Sequence, residues 1–398
     1  MTFSTEAPEQ KLIVSSNAPD QILLTTPWRD RFISQSHQLF FSSSLFFAIV
    51  SIGLTLLVFL RVVIFNFEII HGFGLMFGVF TNAFIGFLIT VIPRYTTSYE
   101  IEPKIYVPIW ALYQIAILIG LFIDPVVGKI GIVVVTFYIC KVFYLNIMDG
   151  YFTSKKESFI LTGILVFGAV LLLVETIIGK TISYLIFWSY LIPLVFVVAQ
   201  KMIPAFYSSN TGESPWQKPK YFLEASLAIF VALGIAIEFE FVIAQKIVSL
   251  FALSFFSYFI FNLNVYKKTP PIVAILVVAF VWFWIGILVL FVESVFEIQG
   301  LRLSLHIMAL GFVLNLLIGF GSRVILGHSV PPQRITADKL TIALFGLVQF
   351  IVITRIVSSL LFMGNSLLFN VLLYLSSILW ICLFIIWGLR YGKTLLRL

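Results

Sequence analysis

Twelve apolar stretches of about 20 residues each follow one another along this chain, and each has the length that a helix needs to cross a bilayer. Hydrophobic residues make up 61% of the sequence and charged residues only 11%, whereas soluble domains carry roughly 25% charged residues. A soluble fold has no means of burying so much apolar surface. We therefore predict an all-α, polytopic transmembrane bundle of about twelve helices, with the lipid bilayer as its main partner.

The stretches are too long and too continuous for the strands of a membrane β-barrel, which alternate over about ten residues. No loop between them is long enough to fold alone, so we expect residues 38–398 to form one transmembrane domain. We place the helices near residues 40–63, 69–92, 105–123, 127–148, 158–178, 182–203, 221–237, 241–264, 272–295, 302–326, 338–362 and 367–391.

The segment before the first stretch, residues 1–37, contains Ser, Thr, Pro and mixed charges without a long apolar run. A signal peptide needs an apolar core, which this segment lacks, and we predict a mobile or surface-lying tail. The two cysteines, Cys140 and Cys382, both fall inside predicted helices. They therefore provide neither a disulfide framework nor a CxxC metal motif.

The distribution of positive charge predicts the orientation. Most of the 25 Lys and Arg residues fall in every second loop, on the side where the N-terminus lies. Because positively charged loops remain in the cytoplasm, both termini are predicted to be cytoplasmic. The formal charge of +7 then reflects topology and gives no reason to expect a nucleic-acid partner.

The four histidines are sorted by this topology into two pairs. His71 and His306 begin the second and tenth helices on the outer side, and His37 and His328 lie at helix ends on the inner side. Since 22 residues of helix span roughly 33 Å, His306 and His328 lie on opposite sides of the hydrocarbon layer. One metal centre can therefore use only one pair.

The outer pair is the stronger candidate for a haem site, because neutral imidazole is an axial ligand of haem iron. Ionisable residues inside a membrane are costly and usually functional. Gly74, Gly78 and Asn82 follow His71 near the same helical face, where they would let a flat group approach. The alternative for the glycines is a GxxxG packing seam between helices.

Three arginines and two methionines extend this hypothesis. Arg302, Arg355 and Arg323 are candidate partners for haem propionates, which suit the guanidinium fork. The alternative for Arg355 is an ion pair with Glu175 or Glu293. Soft thioether ligands for Cu(I) would come from Met76 and Met308, although methionine is more often a packing residue.

The inner pair, His37 and His328, has two interpretations. Solvated or capping histidines are common at helix ends, where water and headgroups are close. The alternative is a second metal or haem site. The sequence alone does not establish whether these two histidines meet.

An internal repeat is suggested by the inner ends of the second and sixth helices. Residues 92–98 read IPRYTTS and residues 203–209 read IPAFYSS. The tenth helix follows at a similar spacing but does not match in detail. The spacing suggests three arcs of four helices, in which helices two, six and ten are equivalent.

The same segments resemble the NnrS family. MFG at 76–78 with GFLIT at 86–90, MIPAF at 202–206 and RVILGH at 323–328 are similar to its successive signatures. The resemblance implies a bacterial inner-membrane protein with haem b and copper, linked to nitric oxide and nitrosative stress. The family's second helix commonly carries H-x-H-E, and here Phe73 and Gly74 replace its second histidine and its glutamate. This departure weakens the prediction of a copper site more than the prediction of a haem site.

The layout also resembles the catalytic subunits of haem–copper oxidases, which have twelve helices and haem-binding histidines on helices two and ten. Such an oxidase needs at least about six histidines, and this chain has four. We therefore exclude a standard oxidase and predict a haem protein that carries electrons from a donor or binds a small molecule such as nitric oxide. The alternatives are a cofactor-free secondary transporter and a membrane protein that handles copper or haem.

Overall fold

The computed structural model describes residues 26–151, 155–265, 267–298, 302–362, 364 and 366–398. Twelve long helices dominate this part of the chain. They are α1 Ser36–Phe59, α2 Glu68–Thr96, α3 Pro103–Phe122, α4 Pro125–Asp149, α5 Lys155–Ile178, α6 Ser183–Thr211, α7 Phe222–Glu238, α8 Val242–Asn262, α9 Pro271–Phe296, α10 Leu303–Gly327, α11 Lys339–Leu361 and α12 Ser366–Leu395.

The predicted multi-helix bundle is confirmed. Eleven of these helices are long and apolar enough to cross a membrane, and α7 has 17 residues, which is at the lower limit for a spanning helix. The chain is therefore a multi-pass membrane protein. Local signals set several helix starts, since proline occupies the first turn of α3, α4 and α9, where its missing N–H is not needed.

The first helix begins at Ser36, slightly earlier than the sequence boundary. A short helix, Trp28–Phe32, precedes it, and the Trp28 indole N–H donates to the Leu396 carbonyl over 2.8 Å. Both ends of the bundle therefore lie on one face, which we name the terminal face, and the opposite face is the distal face. Residues 1–25 of the predicted mobile tail lie outside the described residues.

The three helices α2, α6 and α10 form the centre of the bundle and are its most buried spans. Each packs against the helix before it and the helix after it, and α12 packs against α1 to close the surrounding ring. Helix α6 also contacts both α2 and α10. This arrangement fits the predicted equivalence of helices two, six and ten.

The three central helices share wide π-helical turns in their distal halves. These turns occupy Glu68–Thr81 in α2, Phe187–Leu191 in α6 and Ile307–Leu314 in α10. Wide turns of this kind occur frequently at functional sites. Nothing in the residue pattern had indicated them.

A sequence repeat begins inside two of these segments of wide turns and continues beyond them. Residues 78–87 read GVFTNAFIGF and residues 311–320 read GFVLNLLIGF. In α2, Asn82 exchanges side-chain hydrogen bonds with Gln114 of α3. In α10, Asn315 accepts from Gln349 of α11 over 2.6 Å. The repeat therefore places one amide pair between each central helix and the helix that follows it.

Candidate functional site

The distal face brings His71 and His306 into one electrostatic environment. His71 lies within the wide turns of α2, and His306 is the residue before the wide turns of α10. The guanidinium charges of Arg302 and Arg355 lie close enough to act on both imidazoles. The two histidines that the sequence paired therefore share a polar cluster at the distal ends of the central helices.

Two hydrogen bonds fix the tautomer of His306. Its Nδ1 lies 2.9 Å from the Arg302 carbonyl oxygen, which can only accept, so Nδ1 carries the proton. Its Nε2 lies 3.3 Å from Nη2 of Arg355, and a guanidinium can only donate. His306 is thus a neutral imidazole with the Nε2 lone pair directed away from its own backbone, which is the form that binds a metal.

The His71 ring is held differently. It stacks on the Phe67 ring with centroids 5.0 Å apart and planes 11° apart. Its Nδ1 is buried and has no hydrogen-bond partner among the described residues. Buried polar atoms are nearly always satisfied, so this nitrogen is an unused ligand or donor position.

The three predicted arginines do not form one group. Arg302 lies with its guanidinium 4.3 Å from the Tyr184 ring centroid, and Arg355 donates to the Ser359 hydroxyl over 2.7 Å. Both belong to the distal cluster. Arg323 lies about one turn before the terminal end of α10 and packs over the Phe206 ring at 3.9 Å, so it is remote from the distal histidines.

The alternative ion pairs of Arg355 are wrong. Glu175 instead pairs with Lys129 over 2.7 Å, in a pair whose side chains are only 7% and 14% exposed. Glu293 accepts a bond from the backbone N–H of Ser304. Within the described residues, the buried carboxylates and Arg355 therefore do not form a single coupled network.

The glycines and Met308 serve helix packing. A Cβ on Gly74 would come within 2.5 Å of the Ser51 hydroxyl oxygen, and one on Gly78 within 3.2 Å of the Phe47 ring, both on α1. Met308 is buried against Gly286 of α9. The GxxxG seam of the alternative interpretation is therefore present, between α1 and α2. Partly buried Met76 packs against the apolar core.

The terminal face brings the other two histidines together. The rings of His37 and His328 lie with centroids 5.0 Å apart and planes inclined by 51°. Arg94 Nη2 lies 2.7 Å from His328 Nε2, and Arg397 donates to the His328 backbone carbonyl over 2.8 Å. The question that the sequence left open is answered, because the inner pair does meet.

Sequence reasoning missed several members of these clusters. Arg94 and Arg397 were counted only as topology signals, and Tyr184 and Phe67 received no role. Arg94 stands in the IPRYTTS string that suggested the repeat, so the available signal was its place at the end of a central helix. In the part of the chain that the structure describes, no group of three or more His, Cys, Asp or Glu residues could hold a metal ion.

Comparison with models of protein families matches residues 31–398 to the family described as NnrS protein. The match covers nearly the whole chain and includes both histidine clusters. Comparison with curated proteins gave no match. The family assignment therefore rests on the full-length pattern of the chain.

Proposed function

Because this chain belongs to the NnrS family, we propose that it is a haem-binding membrane protein of the response to nitric oxide and nitrosative stress. His71 and His306 would be the axial ligands. The observation that carries the proposal is the fixed tautomer of His306, whose Nε2 lies 3.3 Å from Nη2 of the mostly buried Arg355. We assign the bacterial inner membrane and cytoplasmic termini from the family resemblance and the charge distribution.

The residues present fit a haem in three respects. His306 is held as a neutral imidazole, and the buried Nδ1 of His71 has no hydrogen-bond partner among the described residues. Arg302 and Arg355 supply two positive charges near both imidazoles, and guanidinium groups pair well with carboxylates such as propionates. These features support His71 and His306 as ligands, and Arg302 and Arg355 as counter-charges, for the proposed haem b.

A bound haem would supply one-electron chemistry and, with one open side, a position for a diatomic ligand. The chain's own contribution is orientation and charge. The Arg302 carbonyl holds the His306 ring through its Nδ1–H, which makes the opposite nitrogen a better ligand. Arg355 would exchange its contact with His306 for a propionate, and Ser359 would keep its guanidinium in place.

Copper receives less support. Phe73 and Gly74 replace two residues of the family's histidine-rich motif, and Met308 packs against Gly286. Met76 alone would be a weak ligand. We therefore keep copper as a subsidiary proposal, with Met76 as its remaining candidate ligand.

The test is an absorption spectrum of the purified protein in detergent, made from cells with ample haem, before and after dithionite. Sharp reduced α and β bands would support two histidine ligands. Bands that shift when nitric oxide is added would support an open side and a gas-binding role. A featureless visible spectrum would overturn the proposal and favour a cofactor-free transporter.

The transporter alternative has a specific weakness. In that alternative, the buried Glu175, Glu293 and Arg355 would form one coupling network. Here Glu175 pairs with Lys129, and Arg355 contacts Ser359 and His306. A protein that only handles haem or copper would bind it transiently, so the rate of cofactor loss on washing separates that role from tight binding.

A further inference from the structure

The terminal-face cluster is built from four separate parts of the chain. His37 comes from the first turn of α1, Arg94 from the last turn of α2, His328 from the residue after α10, and Arg397 from the residues after α12. Residues so distant in sequence converge only because the fold brings four helix ends together. Their convergence places four basic groups at one point of the terminal face.

Three of the four cluster residues have no acidic contact in the part of the chain that the structure describes. Among the described residues, no carboxylate makes a hydrogen bond or an ion pair with His37, His328 or Arg94, although seven ion pairs occur elsewhere. Arg94 directs its guanidinium at an imidazole nitrogen instead. Burial, together with the charges of Arg94 and Arg397, lowers the pKa of His328, although the Val324 carbonyl and the more distant Glu100 oppose the shift. The site therefore disfavours a further cation.

A second observation points to a ligand. His37 is only 2% exposed, and its Nδ1 is buried without a hydrogen-bond partner among the described residues. His328 is fixed by the Val324 carbonyl at Nδ1 over 2.9 Å. The cluster therefore combines an oriented guanidinium with an unsatisfied imidazole nitrogen, while the exposed Arg94 leaves it open to the terminal face.

We propose that His37, Arg94, His328 and Arg397 form a binding site for a phosphate group at the terminal face. The Nδ1–H tautomer of His37 and the guanidinium of Arg94 would donate to the phosphate oxygens. Phosphate oxyanions are the usual partners of such clusters, and basic pockets between helix ends bind anionic lipid headgroups. The same positive charges argue against the second metal site that the sequence suggested for these histidines.

The phosphate could belong to a phospholipid headgroup or be free inorganic phosphate, and the test separates them. Native mass spectrometry of the protein extracted from membranes would count retained phospholipid. Thermal unfolding in detergent with inorganic phosphate, against chloride at equal ionic strength, would detect free phosphate. Retained phospholipid assigns the site to a headgroup, and stabilisation by phosphate alone assigns it to the free ion.

The variants are Arg94→Gln and, if that protein fails to fold, His37→Gln. The matched control is Arg29→Gln, which removes one exposed positive charge from the same face but outside the cluster. Loss of a charge-assisted hydrogen bond should weaken phosphate binding at least about tenfold in the test variants. The affinity of the control variant for phosphate should stay within about twofold of that of the unaltered protein. Equal losses in test and control, or no phosphate-containing ligand in either assay, would refute the site.

Discussion

His306 and His328 lie at opposite ends of α10, and each places its Nδ1 2.9 Å from the backbone carbonyl four residues earlier. In both rings the remaining nitrogen lies against an arginine of another helix. One central helix therefore presents the same local arrangement at both faces of the membrane. The surroundings differ, because the His328 ring lies with its centroid 5.0 Å from that of His37, whereas the Nε2 of His306 lies 3.3 Å from the mostly buried Arg355.

The reduction potential of the proposed haem should depend on Arg355. A nearby positive charge favours the reduced iron, so Arg355→Gln should lower the midpoint potential by on the order of 50 mV. Redox titration of the reduced α band measures this shift. Arg323→Gln removes a positive charge from the terminal half of α10 and should leave the potential nearly unchanged. A raised or unaltered potential in Arg355→Gln would contradict the placement of Arg355 beside the haem.

The buried pair between Lys129 and Glu175 should be important for stability. Replacing Lys129 by Met leaves a buried carboxylate without its partner, at a cost of about 3–5 kcal/mol. The exposed pair between Lys104 and Glu102, with side chains 74% and 60% exposed, is the control, and Lys104→Met should cost less than about 1 kcal/mol. Thermal unfolding in detergent compares them. A similar loss of unfolding free energy in both variants would show that burial of the ion pair does not increase its contribution to stability.

The side chains of Asn315 and Gln349 should contribute cooperatively to the free energy of unfolding. Gln349 also accepts from the Trp282 indole over 2.7 Å, so Gln349→Leu leaves two buried groups unsatisfied. Each single change to Leu should cost about 1–2 kcal/mol. The double variant should cost less than the two single costs added together, which a double-mutant cycle would measure. Simple additivity would mean that the two side chains act independently.

Lys218 should give the protein a distinctive pH dependence. Its ammonium group donates to the carbonyl and side-chain oxygens of Gln200; Pro204, four residues later, has no N–H to offer that carbonyl. Burial lowers the pKa of Lys218 to about 8 even though Glu157 opposes the shift. Because the unfolded chain then holds more protons between pH 8 and about 10.4, stability should rise through that interval.

The predicted gain on going from pH 7 to pH 9.5 is about 2 kcal/mol from this group alone. Thermal unfolding of Lys218→Met should lack this contribution. The control is Lys220→Met, which changes an exposed lysine of the same loop and should keep the pH dependence of the unaltered protein. Identical pH profiles for the two variants would show that Lys218 does not titrate in this way.

The sequence was sufficient for the bundle and for sorting the histidines, because apolar length and alternating loop charge are properties of single segments. Which side chains pair with each other between helices was not predictable. Whether Glu175 meets Lys129 or Arg355 depends on the rotation of each helix about its axis. The wide turns before Asn82 and Asn315 likewise depend on packing, although the repeated GxxxNxxIGF string around those residues was visible and marks the equivalence of α2 and α10.

The most direct test of the central proposal compares His306→Ala with His328→Ala. These variants remove one histidine from each end of the same helix, and the pyridine haemochrome spectrum counts haem per protein in both. The haem proposal predicts that His306→Ala loses the haem or its sharp reduced bands, while His328→Ala retains both. Unaltered haem content and reduced bands in His306→Ala would contradict the assignment of the distal histidines.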